Sequence, residues 1–566
     1  MKLIFAHYLA SLKERGELDV VIPDLLSELG MTVFSRPSRG TKQYGVDVAA
    51  VGTIGTGERS LYLLSIKPGD LKRSTWDGGP QSMRASLNQI VDVYVQKHIP
   101  KRYSDLPIVV VLCLGGELHE GVRLDVEGYM ERQSREKTTF DVWNGDRLAD
   151  LLLTGVLREN ALPETWRASF RKAVALVDEP DVCVTHFGQF LDDIRRACRP
   201  TRSARLTASR QIHVALWTLY VWARETGNIE APYRCSERAM LFCWEISKDS
   251  MLGNATGSRR LRDLVVRVIT VHSQIAYEFE TSCITPRAEL HHGLAEAVPS
   301  QAALDINLTL FDAVGRLASH GLWKWHACVN LLTGGDTEEA ESLRAELHTQ
   351  AELLMKVIGN NPALCTPIKD NQAIDIDICC LFLNSVGYTE FVRQWVQQIA
   401  SATMFAYKAN STYPCILREY RDLADHPRKG SEYRERATAG SILVPTLAAW
   451  AAITGDAGTL EALADFASGP YKHSTLQLLF PGLDTEEHVY CGSGDHGVAL
   501  IEMRIERSCV KMLAVIKSEC AKLAEFGALS AVQRGFWPMV ISASRHHRVP
   551  VPPHFWLMGR VAGGPR

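Results

Sequence analysis

GVDVAAVG (residues 45–52) and SLYLLSIKPGD (residues 60–70) are the stretches that decide the fold of the N-terminal part of this chain. Both are typical of β-strands, along which side chains alternate between two faces, so Ser65 and Lys67 share a face. A lysine that ends an apolar strand, beside Asp47 in the neighbouring strand, is costly to bury unless both side chains have a partner or a function. The two strands therefore predict a functional site.

The residues around these strands predict an α/β domain. Apolar periodicity and turn residues indicate, in order, a helix over 18–29, strands over 32–36, 45–51 and 60–67, a helix over 82–97, strands over 107–116 and 139–143, and a helix over 146–153. The order is helix, three strands, helix, strand, with a further strand and helix appended. After about residue 162 long helical periods dominate, so we expect the rest of the chain to be mainly α-helical.

The length of 566 residues exceeds what one hydrophobic core usually organises, so two or three domains are expected. We predict an α/β domain over 1–160, a helical domain over 161–430 and a helical C-terminal subdomain over 431–566. The second boundary falls in a charged stretch, residues 425–440, of the kind found in loops.

Composition excludes several classes of protein. The net charge of −3 excludes a chain that is polybasic throughout, so any basic surface must be local. Fourteen cysteines without a CxxC pair, and an N-terminus without a secretory signal, favour free thiols in the cytoplasm. The longest apolar run, residues 441–455, contains Pro445 and falls short of the roughly 20 residues of a membrane helix. We therefore expect no membrane segment, and the lack of GxxxxGK[ST] argues against a Walker-type ATPase.

The spacing Asp47…Ser65-Ile66-Lys67, together with the predicted order of elements, resembles the PD-(D/E)XK, or restriction-endonuclease-like, nuclease superfamily over residues 17–155. The resemblance implies an αβββαβ core in which Asp47 coordinates Mg²⁺ or Mn²⁺ and Lys67 assists catalysis. The backbone carbonyl of Ile66 can also ligate a hard cation.

Ser65 stands where the family has its second acidic residue. A hydroxyl is a weaker ligand than a carboxylate, so metal affinity should fall unless another acid compensates, and Ser65 could instead hold a metal-bound water. Many relatives carry a further acid on the first helix, for which Asp19 is the candidate and Glu17 the substitute. Asp70, just beyond the lysine, is another candidate ligand.

The region around the motif carries a local positive charge. Eleven Lys or Arg residues against five Asp or Glu between positions 36 and 102 give an excess of +6. The candidate nucleic-acid contacts are the cations before the Asp47 strand and those after Lys67: Arg36, Arg39, Lys42, Lys72, Arg73 and Arg84. Solvated loops without a ligand are the alternative.

These observations favour a metal-dependent nuclease that acts on DNA, with RNA second. A nuclease head on a large helical body is similar to bacterial defence or restriction effectors, in which the body senses a trigger or a protein partner and restrains the head. The alternative is a catalytically degenerate fold, with Asp47 and Lys67 as a salt bridge, that serves as a nucleic-acid-binding module, sensor or scaffold. A homo-oligomer is left open.

Overall fold

An N-terminal β-sheet followed by a mainly helical body makes up the architecture in the computed structural model. The structure describes residues 2–14, 18–35, 43–55, 57–155, 164–251, 256–482, 485–492, 500–522 and 524–558. The predicted class, an α/β region followed by a helical one, is confirmed at this level.

The chain divides into two units. The first contains Met1–Ala239 and Asp249–Val271, and the second contains Met240–Lys248 and His272–Arg566. The first unit therefore includes helices beyond the sheet. The predicted boundaries near residues 160 and 430 do not coincide with this division and stay predictions.

Within the described residues, five strands form the sheet of the first unit. They are β1 (Thr32–Ser35), β2 (Val48–Gly52), β3 (Ser60–Lys67), β4 (Ile108–Leu114) and β5 (Thr138–Trp143). They lie in the order β1-β2-β3-β4-β5. The pairs β1–β2 and β2–β3 are antiparallel, whereas β3–β4 and β4–β5 are parallel. A parallel neighbour requires a crossover, which the helices between β3 and β4 provide.

Helices cover both faces of this sheet. They are α1 (Lys2–Ser11), α2 (Asp19–Glu28), α3 (Arg73–Asp77), α4 (Met83–Gln89), α5 (Val95–Lys97), α6 (Glu120–Gln133) and α7 (Gly145–Gly155). A five-residue π-helical stretch, Ile90–Tyr94, joins α4 to α5. Residues of α3, α4 and α6 form one core with alternate side chains of β3 and β4, such as Leu63 and Leu112. Helices α1, α2 and α7 pack together, and α2 contacts β1 and β2.

The predicted strands and helices are present in the structure, but some of them begin or end at other residues than predicted. Strand β3 has the predicted bounds, and Gly30 ends α2 with a φ of 83°. Strand β2 begins at Val48 rather than at residue 45, so Asp47 precedes the strand instead of lying inside it. Neither α1 nor α6 is predicted from the sequence. Helix α6 is mostly polar, with a buried face of only three residues, which gives it weak amphipathic periodicity.

The remaining elements are almost all helices. In the order of the chain they are α8 (Glu164–Ala175), α9 (Pro180–Ala197), α10 (Arg202–Glu225), α11 (Glu230–Ser247), α12 (Thr256–Phe279), α13 (Gly293–Glu296), α14 (Ala303–Gly334), α15 (Thr337–Asn360), α16 (Ala373–Val386), α17 (Thr389–Ala409), α18 (Tyr420–Ala424), α19 (Ser431–Ala437), β6 (Gly440–Ser441), α20 (Leu443–Thr454), α21 (Ala457–Ser468), β7 (Thr475–Leu479), α22 (Glu486–Val489), β8 (Leu500–Glu502), α23 (Cys509–Lys522), α24 (Ser530–Gln533), α25 (Pro538–His547) and α26 (His554–Met558).

Helix α20 corresponds to the apolar run noted in the sequence and is buried. Strands β6, β7 and β8 pair in that order. Among the described helices, none combines the length and the apolar character needed to cross a membrane.

Candidate active site

Asp47 is held against the end of strand β3 by two hydrogen bonds. Its backbone N–H donates to the carbonyl of Leu64 over 2.9 Å, and its Oδ2 accepts from the backbone N–H of Ile66 over 2.7 Å. Because β2 begins one residue later, the carboxylate accepts a β3 N–H that the strand pairing leaves free at this point. The side chain is thereby fixed beside the strand that carries Lys67.

Lys67 supplies the cation of the site. Its Nζ lies 3.2 Å from Oε2 of Glu14, a residue between α1 and α2. The Lys67 side chain is 15% exposed and that of Glu14 is 34% exposed, so this ion pair is partly shielded from water. A lysine of the sheet is thus paired with a carboxylate from the segment between α1 and α2.

Several charges converge on Asp47. Burial raises the pKa of its carboxyl from the ordinary 3.8 to about 6, and the negative charges of Glu14 and Asp19 add to this rise. The hydrogen bond from Ile66 and the charge of Lys67 oppose it. Three carboxylates therefore share the neighbourhood of one ammonium group, and a bound cation would relieve their mutual repulsion.

The donors fit a hard divalent cation in type. Asp47, Glu14 and Asp19 offer carboxylate oxygens, which Mg²⁺ and Mn²⁺ prefer as ligands. Within the part of the chain that the structure describes, however, no three His, Cys, Asp or Glu side chains are already grouped so that they could hold an ion. Glu14 would have to turn from Lys67 toward Asp47 to complete a metal site.

Ser65 is not bonded to the carboxylates. Its side chain is buried, with 1% exposed, and its Oγ has no hydrogen-bond partner among the described residues. Ser65 pairs in register with Leu112 of β4, and the alternation along β3 places it on the face of Leu63. The structure therefore surrounds the hydroxyl with the apolar core.

Asp70 lies in the turn that follows β3 and is occupied there. Its Oδ1 accepts from the backbone N–H of Glu117 over 3.0 Å, and its Oδ2 lies 3.9 Å from Nζ of Lys72. Among the carboxylates considered from the sequence, the structure thus associates Asp19, and not Asp70, with the charge of Asp47.

The candidate nucleic-acid contacts fall into two groups. Arg36, Arg39 and Lys42, like the substitute acid Glu17, lie outside the described residues. Lys72, Arg73 and Arg84 are exposed; Lys72 and Arg73 follow closely after the end of β3 that carries Lys67, and Arg84 lies in α4.

Each of the two arginines has an acidic neighbour. Arg73 lies 3.4 Å from Asp125, and Arg84 lies 2.7 Å from Asp77. Exposed ion pairs contribute about 0–1 kcal/mol, so a phosphate group could compete for either guanidinium.

Glu14 is the one residue of this site that no sequence pattern indicates. It lies in the charged segment LKERGELD, where no strand or helix periodicity distinguishes one acid from another. Its contact with Lys67, 53 positions later in the chain, is what places it in the candidate site.

Comparisons of the chain with protein-family models, with curated proteins and with solved structures found no match in any of the three. The chain's own residues are therefore the basis for any assignment of function.

Proposed function

We propose that the first unit is a divalent-metal-dependent nuclease with a restriction-endonuclease-like core, and that it hydrolyses phosphodiester bonds in DNA rather than RNA. The observation that carries the proposal is the convergence of Asp47, Lys67, Glu14 and Asp19 at one end of β3. The order of elements supports it, because a helix, three strands, a helix and a strand are what the resemblance implies.

Each residue has a stated part in this proposal. Asp47, Glu14 and Asp19 would hold Mg²⁺ or Mn²⁺, with the Ile66 carbonyl as a further oxygen donor. The bound ion would neutralise developing negative charge on the phosphate and lower the pKa of a bound water.

Lys67 places its ammonium group beside these carboxylates, where it would orient the attacking water and stabilise charge on the phosphate oxygens. With a pKa of about 6, Asp47 is ionised at neutral pH and is able to act as a ligand. We assign no ligand role to Ser65, since its hydroxyl is buried in the apolar core.

The helical region completes the proposal by analogy. We infer that it senses a trigger or a protein partner and restrains the nuclease, as in defence effectors. The extent of the helical region, from α8 to α26, is the only support for this part.

A binding module without catalysis is the second candidate. Two observations favour it: Glu14 is already paired with Lys67, and the described residues contain no preassembled group of three ligands. In this candidate the charged cluster is structural, and the exposed cations bind nucleic acid without cutting it.

A cleavage assay separates the two candidates. Supercoiled, linear and single-stranded DNA, and RNA, are incubated with the full chain and Mg²⁺ or Mn²⁺, beside an EDTA control and the variants Asp47→Ala and Lys67→Ala. The nuclease proposal predicts metal-dependent cutting that falls at least about 100-fold in both variants. Binding without cutting in all three proteins would favour the module, and cutting that survives both substitutions would place the centre elsewhere.

A further inference from the structure

A polar cavity lies among α3, α4 and α6, in the layer that covers one face of the sheet. Its volume is about 100 Å³, and it is open to solvent. A cavity of this volume has room for several water-sized groups, so it suits a small, compact ligand that is held by a few placed polar groups. None of the residues that line it belongs to the Asp47 cluster.

Two aromatic side chains line the buried part of the cavity. Trp76 of α3 and Tyr129 of α6 meet edge to face, with 5.6 Å between ring centroids, and they are 3% and 4% exposed. The Tyr129 hydroxyl donates to Oδ1 of Asn88 over 2.8 Å. The indole N–H of Trp76 has no hydrogen-bond partner within the described part of the chain and is not sealed from solvent, so it is available to an acceptor in the cavity.

Charged side chains form the rim. Arg73, Arg84 and Arg132 face two acids, Asp77 and Asp125, which leaves a formal charge of +1. Arg73 and Arg84 are each paired with one of these acids, whereas Arg132 has no ion pair among the residues described. Since each guanidinium has five N–H donors, an aspartate leaves most of them for a ligand.

We propose that this cavity binds a phosphate group. Phosphate offers several acceptor oxygens in one compact anion, which matches converging guanidinium and indole N–H donors better than a single carboxylate does. Only the source of the phosphate rests on the proposed function. In a nucleic-acid-binding protein, the phosphate group would be the terminal phosphate of the bound strand. A free phosphate ion is the other source of the same chemistry.

A binding experiment tests the cavity without any cleavage step. Fluorescence anisotropy in EDTA compares two labelled oligonucleotides of one sequence, with and without a 5′-phosphate, and inorganic phosphate serves as competitor. The variants are Arg132→Ala and, as the matched control, Arg123→Ala. Arg123 lies on the same helix, α6, but does not line the cavity. Trp76→Phe removes the indole N–H while it retains an aromatic ring, and thermal melting verifies that each variant is folded.

We expect the wild type to bind the phosphorylated oligonucleotide more tightly than the unphosphorylated one. This difference in affinity should fall about tenfold in Arg132→Ala and should also fall in Trp76→Phe. It should be unchanged in Arg123→Ala. Competition by inorganic phosphate that disappears in Arg132→Ala, without any effect of the 5′-phosphate, would identify the free ion as the source. Equal affinity for both oligonucleotides together with no competition by phosphate would overturn the proposal, whether or not Asp47 is catalytic.

Discussion

Replacing Asp47 by Asn should stabilise the protein at neutral pH. The folded chain raises the pKa of this carboxyl from 3.8 to about 6, mainly through burial, so the ionised form is disfavoured in the folded state. Between these two pH values the folded protein binds a proton that the unfolded chain has lost, and stability falls as pH rises. The penalty is absent below pH 3.8 and complete above about pH 6. Asparagine carries no charge, and its Oδ1 can still accept the N–H of Ile66.

The size of the effect follows from the difference in pKa. The rise of the pKa from 3.8 to about 6, at about 1.4 kcal/mol for each pH unit, corresponds to a gain of about 3 kcal/mol in the free energy of unfolding above pH 7. About half of this gain should be present at pH 5, about 0.5 kcal/mol at pH 4 and almost none below about pH 3. The partial solvent exposure of Asp47 makes 3 kcal/mol an upper value.

Urea denaturation at pH 5 and at pH 7.5 measures the effect on the free energy of unfolding. Asp70→Asn is the control, because Asp70 is an exposed carboxylate in the turn after β3 and an amide oxygen can replace its contact with Glu117. We expect a gain for Asp47→Asn that is larger at pH 7.5, and a change below about 0.5 kcal/mol for Asp70→Asn. A loss of stability in Asp47→Asn at pH 7.5, or a gain independent of pH, would refute the electrostatic reasoning.

Three further substitutions test the surroundings of the site. Ser65→Ala should keep cleavage activity within about threefold and raise or preserve the melting temperature, because it removes a buried hydroxyl without a partner in the described structure; a large loss of activity would return Ser65 to the site. Gly45→Ala should cost about 2–4 kcal/mol in urea denaturation, since Gly45 has a φ of 80° and a Cβ there would collide with the backbone of Ser86; an unchanged midpoint would contradict this. Glu14→Gln should alter stability by at most about 1 kcal/mol yet reduce metal-dependent cleavage at least tenfold, and unchanged cleavage would remove Glu14 from the proposed ligands.

Local patterns in the sequence were sufficient to predict most of the sheet. Strand β3 combines apolar alternation with Pro68 and Gly69 directly after it, and it has the predicted bounds. Strand β4 is a continuous apolar run of the kind found in central parallel strands. Helix α1 was not predicted, since its apolar residues show little amphipathic periodicity.

The candidate site was predictable only in part. Asp47 and Lys67 stand out because charged side chains beside apolar strands are costly to bury unless they are paired. Glu14 does not, because its pairing with Lys67 depends on how the segment between α1 and α2 packs against the sheet. The position of Ser65 within the apolar core likewise depends on the packing of α4 and α6, although strand alternation already places it with Leu63.

Titration calorimetry with Mn²⁺ on the full chain tests the central claim, that the carboxylates around Asp47 hold a divalent cation. The wild type, Asp47→Asn and Asp70→Asn are compared at pH 7.5, where Asp47 is ionised. We predict Mn²⁺ binding by the wild type and by Asp70→Asn that is lost in Asp47→Asn. Equal Mn²⁺ binding by the wild type and Asp47→Asn, or none by the wild type, would contradict the claim.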